Sequence, residues 1–230
     1  MLQTKGLTKK YFTKTVLNGI DIQLEEGKIY GLLGPNASGK TTFMKIAAGL
    51  VQPTSGELSI SGYKIGVSTK QIVSYMPTVN HLPLWMKVSQ CLNWFQGAFS
   101  DFQPEQAKAL LNEMGIKEEE KIGSLSSGML GRFKLLLTIS REAKLYLLDE
   151  PLNGLDPVSR EKIVQAILTT AGENNTFLIS SHLINELENV IDEIIFLDQG
   201  KVVLSGNAEE FRINRGMSID ELYREVYRNA

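Results

Sequence analysis

The sequence predicts an α/β fold: a parallel sheet with helices, an antiparallel β region at the N-terminus and an inserted α-helical region. Three observations carry this. A short apolar run, KIYGLL (28–33), leads through GPNASGKTT (34–42) into Phe43, Ile46, Ala47 and Leu50 at helical spacing. A second apolar run, LYLL (145–148), stops at Asp149, Glu150 and Pro151. Between them, from residue 84 to about 121, helical patterns dominate and no convincing strand pattern appears.

Residues 2–24 open the chain. LQTKGLTKKY and VLNGIDIQL alternate in part, and Asn18-Gly19 marks a turn between strands. Tyr11 and Phe12 interrupt a charged stretch, either as a strand-end packing pair or as a functional one.

The stretch 34–42 fits G-x-x-x-x-G-K-[ST], with Gly34, Gly39, Lys40 and Thr41 in the fixed places. Glycines permit backbone angles and close approaches that a Cβ would block. The N–H groups of such a loop turn inward on phosphate oxygens. Gly34, Pro35, Asn36, Ala37, Ser38, Gly39, Lys40, Thr41 and Thr42 are therefore the candidate phosphate cradle. Lys40 can reach the β- and γ-phosphates, and the Thr41 hydroxyl can ligate Mg²⁺. A helix starting near Gly39 adds its positive end.

Turn residues Pro53, Ser55, Gly56 and Gly62 bracket a short strand at ELSI (57–60). IVSYMP (72–77) reads as a buried strand ending at proline. Residues 84–140 are assigned to a helical subdomain, with Pro104 at a helix start and Gly115 past its end. Its Trp85, Trp94, Phe95 and Phe99 either fill a small core of that region or line a groove for a partner helix. Cys91 is expected to be a small core residue.

LSSGM (125–129) begins a helix that Ser126 or Ser127 can cap. Alone it is either an ordinary capped helix or an anion site. Asp149 and Glu150 end a strand, where ligands of parallel sheets sit. Asp149 can hold Mg²⁺, and Glu150 can orient or deprotonate a water. FLISSHLINELE (177–188) reads strand, loop, helix, and sets His182 on the same sheet edge. His81 falls in a loop and is given no role. EIIFLDQGKVVLSG is a hairpin about Asp198-Gln199-Gly200. Residues 207–230 form a C-terminal helical extension, with Ile219, Leu222, Tyr223, Val226 and Tyr227 on one apolar stripe. The whole of 1–230 reads as one domain.

Composition excludes several classes. The chain is 43% apolar and 22% charged, with net charge −2 and no long run of like charges, which argues against a dedicated nucleic-acid binder. One cysteine rules out an internal disulfide and fits a reducing compartment. MLQTKGLTKKY has no apolar core of signal-peptide type, and no run of about 18 apolar residues appears.

The ordered set of P-loop, LSSGM, LYLLDE, GLD (154–156) and SH (181–182) resembles the nucleotide-binding subunit of ATP-binding cassette (ABC) transporters over about residues 2–210. LSSGM resembles that family's LSGGQ signature, and its methionine resembles the bacterial drug and peptide-antibiotic exporters. The resemblance implies a RecA-like P-loop core with an antiparallel β subdomain and a helical subdomain. It implies ATP and Mg²⁺ as cofactors and Tyr11 as an aromatic stacking on adenine. It also implies a head-to-tail dimer, homo- or heterodimeric, in which Ser126, Ser127 and Gly128 of one chain complete the other chain's site. In that site Lys40, Glu150 and His182 are catalytic, and Thr41 and Asp149 hold the metal. Expected partners are integral membrane permease subunits and no nucleic acid; the expected place is the cytoplasmic face of the membrane, bound through the permease. Export is favoured over import. Thr78 departs from the family, which normally has Gln or Glu there; its short hydroxyl cannot reach as far. The rival readings are a soluble ABC ATPase of repair, translation or assembly, and a poorly hydrolytic partner in a heterodimer. The long coiled-coil insertion and the second cassette of the soluble types are missing, and Glu150 and His182 weigh against the weak partner.

Overall fold

The computed structural model describes residues 1–228; residues 229–230, the last two of the proposed C-terminal extension, lie outside it. The chain begins with β1 (Leu2–Tyr11), β2 (Lys14–Ile20), β3 (Gln23–Leu24) and β4 (Ile29–Leu33). Then come α1 (Lys40–Ala47), β5 (Ser55–Ile60), β6 (Tyr63–Lys64), α2 (Val67–Ile72) and β7 (Val73–Met76). Helices α3 (Val88–Ala98), α4 (Pro104–Glu113) and α5 (Ser127–Ile139) precede β8 (Leu145–Asp149), α6 (Pro157–Thr170) and β9 (Thr176–Ser181). The chain closes with α7 (Ile184–Leu187), β10 (Glu193–Asp198), β11 (Lys201–Asn207), α8 (Ala208–Arg215) and α9 (Ile219–Arg228).

Two sheets result. The main one has strand order β11-β10-β4-β9-β8-β7, parallel except for the β11 edge. Every residue of β4, β8 and β9 is buried, as expected for parallel strands covered on both faces. The antiparallel sheet has order β2-β1-β5-β6, with β3 also paired to β1. The C-terminal ends of β4, β8 and β9 thus meet at one edge, where the sequence puts its chemistry.

Several local expectations are revised. The turn joining β1 to β2 is at Phe12-Thr13, and Asn18-Gly19 lies inside β2. The pairing Lys9↔Leu17 is followed by Leu7↔Ile20, so β2 carries one extra residue there. Gly19 takes φ 67°, which a bulge tolerates and an ordinary strand does not. The freed Asn18 N–H donates to Gly200 O at 2.8 Å and ties this sheet to the β10–β11 turn. Helix α2 has no apolar periodicity and was not anticipated. It rests on local bonds of Thr69 Oγ1, which accepts from Gly66 N and donates to Gly66 O.

The apolar residues of the helical region form no core of their own. Val88, Phe95, Leu111 and Phe133 join Leu33, Tyr146 and Phe177 of the main sheet in one cluster. The reason is that α5 lies on the sheet: Ser74 Oγ of β7 donates to Thr138 O at 2.8 Å. Arg141 adds a clamp, bonding Asp101 Oδ2 at 2.9 Å and Val73 O at 2.9 Å. Trp85 and Trp94 stay largely exposed. Cys91 is buried in this cluster, and burial pushes its thiol up to about 12. Thiolate is the reactive form. The native protein is therefore expected to resist iodoacetamide at pH 8 and to react fully once unfolded, as intact mass would record.

Helix α9 docks on its own chain. Ile219 and Leu222 are buried, Tyr223 and Tyr227 pack against Phe196, and the Tyr227 hydroxyl donates to Leu197 O at 3.1 Å. No described helix is long and apolar enough to cross a membrane.

Candidate active site

The loop after β4 is shaped by contacts that leave no room for side chains. A Cβ on Gly34 would stand 2.2 Å from Leu197 O, and one on Gly39 2.7 Å from Leu17 Cδ2 and 2.9 Å from Val16 O. Gly39 also has φ 114°. Both glycines are therefore required by the path, and α1 begins directly after the second. Lys40 folds back over the loop: its Nζ donates to Gly34 O at 2.7 Å and to Pro35 O at 3.2 Å. The ammonium lies 3.6 Å from Glu150 Oε1. Burial lowers its pKa, and the charges of Glu150 and Asp149 oppose that shift.

At the end of β8, Asp149 is fully buried and heavily held. Its Oδ1 accepts from Ser180 Oγ at 2.8 Å and from Thr41 Oγ1 at 3.1 Å. Its Oδ2 accepts from Tyr75 OH at 3.4 Å, and its main-chain oxygen accepts from Thr78 Oγ1 at 3.1 Å. Glu150 turns out of the strand with φ 53°, a left-handed conformation costing about 1–3 kcal/mol for a residue with a Cβ. Its N–H is caught by Ser180 Oγ at 2.9 Å. The turn aims its carboxylate at His182, whose Nδ1 lies 2.8 Å from Glu150 Oε2. Against a carboxylate that nitrogen must carry the hydrogen.

These residues surround a cleft of about 500 Å³ lined by Asn36, Ala37, Ser38, Gly39, Lys40, Thr41, Thr42, Glu150 and His182, together with Lys14, Val16, Thr78 and Asn153. Gly34 and Pro35 are not among the lining residues; their main-chain oxygens accept from Lys40 Nζ. Asp149 sits behind Thr41. Tyr11 lies at the tip of the β1–β2 hairpin, outside the cleft lining, with Lys9 Nζ 4.9 Å from its ring centroid. Ser126, Ser127 and Gly128 do not reach this cleft. Ser126 Oγ caps α5 by accepting from Met129 N, and Gly128 packs against α6, where a Cβ would meet Ser159 Oγ at 2.7 Å.

The cleft suits a polyphosphate and a divalent ion. Ser38 Oγ is buried without a hydrogen-bond partner, a deficit that a phosphate oxygen would fill. Thr41 Oγ1 and Asp149 Oδ1 are two hard oxygens side by side. Mg²⁺ asks for one or two protein oxygens and takes the rest from phosphates and water. Among the described residues no group of three or more His, Cys, Asp or Glu side chains is placed to hold a metal ion.

Sequence reasoning missed Lys14, Val16 and Asn153, which reach the cleft only through folding. It also missed Ser180. Ser180 is paired with Asp149 across β8 and β9, a register that the sequence does not mark. Thr78, singled out as a departure, does reach the cleft, but its hydroxyl is engaged by the Asp149 carbonyl.

Comparison with known proteins gives the family and the fold. The family described as "ABC transporter" matches residues 17–153. A lantibiotic transport ATP-binding protein of Streptococcus pyogenes is 33% identical over 94% of this chain and 97% of its own length. A linearmycin resistance ATP-binding protein of Bacillus subtilis is 32% identical over 90% of this chain and 69% of its own length. Among solved structures, the ATP-binding subunit of an ABC transporter superimposes with a TM-score of 0.89 at 25% identity, covering 98% of this chain and 99% of that one.

Proposed function

The chain belongs to the ABC transporter family, and from that premise we propose that it is the ATP-hydrolysing subunit that powers a separate membrane permease, working as an exporter of peptide-antibiotic or drug-like cargo. The observation that carries the reading is the cleft at the strand ends, where Lys40, Thr41, Asp149, Glu150 and His182 converge beside the P-loop. The likeness to transport and resistance ATP-binding proteins supports the direction and class of cargo. The rival soluble types find no support in these relatives. Docking to the permease would hold the chain at the cytoplasmic face of the membrane.

In this mechanism residues 1–230 act as one ATPase unit, with 84–140 as its helical subdomain. The P-loop backbone and Lys40 bind and orient the β- and γ-phosphates. Thr41 and Asp149 would hold Mg²⁺, which supplies charge neutralisation at the phosphate oxygens when bound. Glu150 takes the proton of the attacking water, and His182 keeps its carboxylate aimed. Tyr11 is proposed to stack on adenine from the hairpin tip. Ser126, Ser127 and Gly128 stand apart from their own cleft, which supports a second chain completing the site in a head-to-tail dimer. The exposed Trp85 and Trp94 suit contact with the permease.

Light scattering on Glu150→Gln protein tests this assembly. A monomer that becomes a dimer only with Mg-ATP is the expected result. A monomer that binds ATP and never dimerises would overturn the homodimeric motor.

A further inference from the structure

Among the described residues, four charged side chains are buried: Lys40, Lys134, Arg141 and Asp149. Arg141 is paired with Asp101, and Lys40 lies near Glu150. Lys134, in the middle of α5, has no carboxylate within ion-pair distance among the described residues. An unpaired buried ammonium is costly, so its retention asks for a reason.

Its one bond supplies a candidate. Lys134 Nζ donates to Thr78 O at 2.9 Å. The hydroxyl of the same Thr78 donates to the main-chain oxygen of Asp149 at 3.1 Å. Three residues from three segments are thus linked in series, from the interior of α5 to the main-chain oxygen of Asp149 at the end of β8. Tyr75 runs alongside, with its hydroxyl on Asp149 Oδ2. Lys134 and Tyr75 also line a separate cavity of about 310 Å³ that Trp94 and Phe95 share. The segment carrying Thr78 is otherwise a loop between β7 and α3, free to move unless something holds it.

We propose that Lys134 is a positioning residue for the metal site: by gripping the Thr78 carbonyl it holds the Thr78 hydroxyl on the Asp149 main-chain oxygen, and so fixes the backbone from which the Asp149 carboxylate meets Thr41. This rests on the reading that Asp149 ligates Mg²⁺. Partners that orient a ligand in this way change metal affinity by about 10–100-fold when removed. The charge of Lys134 acts in the opposite sense, since a nearby cation repels Mg²⁺. Loss of positioning and loss of repulsion therefore predict opposite shifts.

The test is binding of a fluorescent ATP analogue to the full chain, at graded Mg²⁺ and in EDTA. Lys134→Met is expected to need about tenfold more Mg²⁺ for half-maximal tight binding, with affinity in EDTA unchanged. Lys134→Arg, which keeps a donor for the Thr78 carbonyl, should restore most of the Mg²⁺ response. Thr78→Val removes only the hydroxyl and should shift the Mg²⁺ dependence the same way; it decides the matter if Lys134→Met does not fold. A wild-type Mg²⁺ response in Lys134→Met and Thr78→Val overturns the proposal. So does an equal loss with and without Mg²⁺, which would mark a structural role, and so does tighter Mg²⁺ binding, which would mark a field effect alone. Asp149→Asn separates the two levels. If it leaves the Mg²⁺ response intact, the metal assignment itself fails; if it abolishes the response while Lys134→Met does not alter it, only the positioning role fails.

Discussion

Glu150→Gln is expected to slow ATP turnover by about 10²–10⁴-fold while ATP still binds, because a positioned general base contributes that much and the amide cannot take a proton. The structure explains why no neighbour would substitute. Asp149 is fully buried, with both carboxylate oxygens engaged by Ser180, Thr41 and Tyr75. Among the carboxylates of the described residues Glu150 alone lines the cleft, and its direction is fixed by a left-handed backbone and by His182. The amide keeps the shape and still accepts from His182, so folding and nucleotide affinity should change little. Phosphate release in single-turnover mode would measure the effect. A rate within about tenfold of wild type would transfer the proton-accepting role to another group, since that is far below what a lost base costs.

Lys40→Met is expected to weaken ATP binding by about 30-fold to several thousandfold, the equivalent of roughly 2–5 kcal/mol for truncating one partner of a buried, hydrogen-bonded charge pair. The ammonium does two jobs. It braces the loop through Gly34 O and Pro35 O, and it brings a desolvated positive charge to where phosphates would lie. Methionine nearly matches its length and loses both. It also leaves Glu150 without the cation 3.6 Å away, so turnover should fall further than affinity. Calorimetric titration with ATP in Mg²⁺ and in EDTA would read the loss. Affinity within about threefold of wild type would mean that the loop's N–H groups alone carry the phosphate, with the lysine contributing less than any buried charge pair.

Much of the site was legible because its parts are local. The spacing of Gly34, Gly39, Lys40 and Thr41 can be read along nine residues, since one loop must fold around one group of phosphates. The carboxylates at 149–150 and His182 were legible because each ends a short buried run, and parallel strands present such ends at a common edge. The hairpin at 198–200 and the stripe of α9 follow from turn chemistry and 3.6 periodicity, both short-range.

What the sequence determined by itself is therefore the local pattern: the glycine-rich loop between strand and helix, the strand-end carboxylates and the histidine, each written in consecutive residues. What only the tertiary structure decided is how distant residues share space. Ser180 meets Asp149 through strand register, Lys14 and Val16 arrive from the other sheet, and Lys134 reaches Thr78 across 56 positions. Beside the bulge at Gly19, the Asn18 N–H likewise finds its partner in Gly200 O, far along the chain. These contacts depend on packing and desolvation between segments that carry no mark of one another. A buried lysine without an acidic partner looks in the sequence like any other lysine, and only burial reveals that it must be holding something.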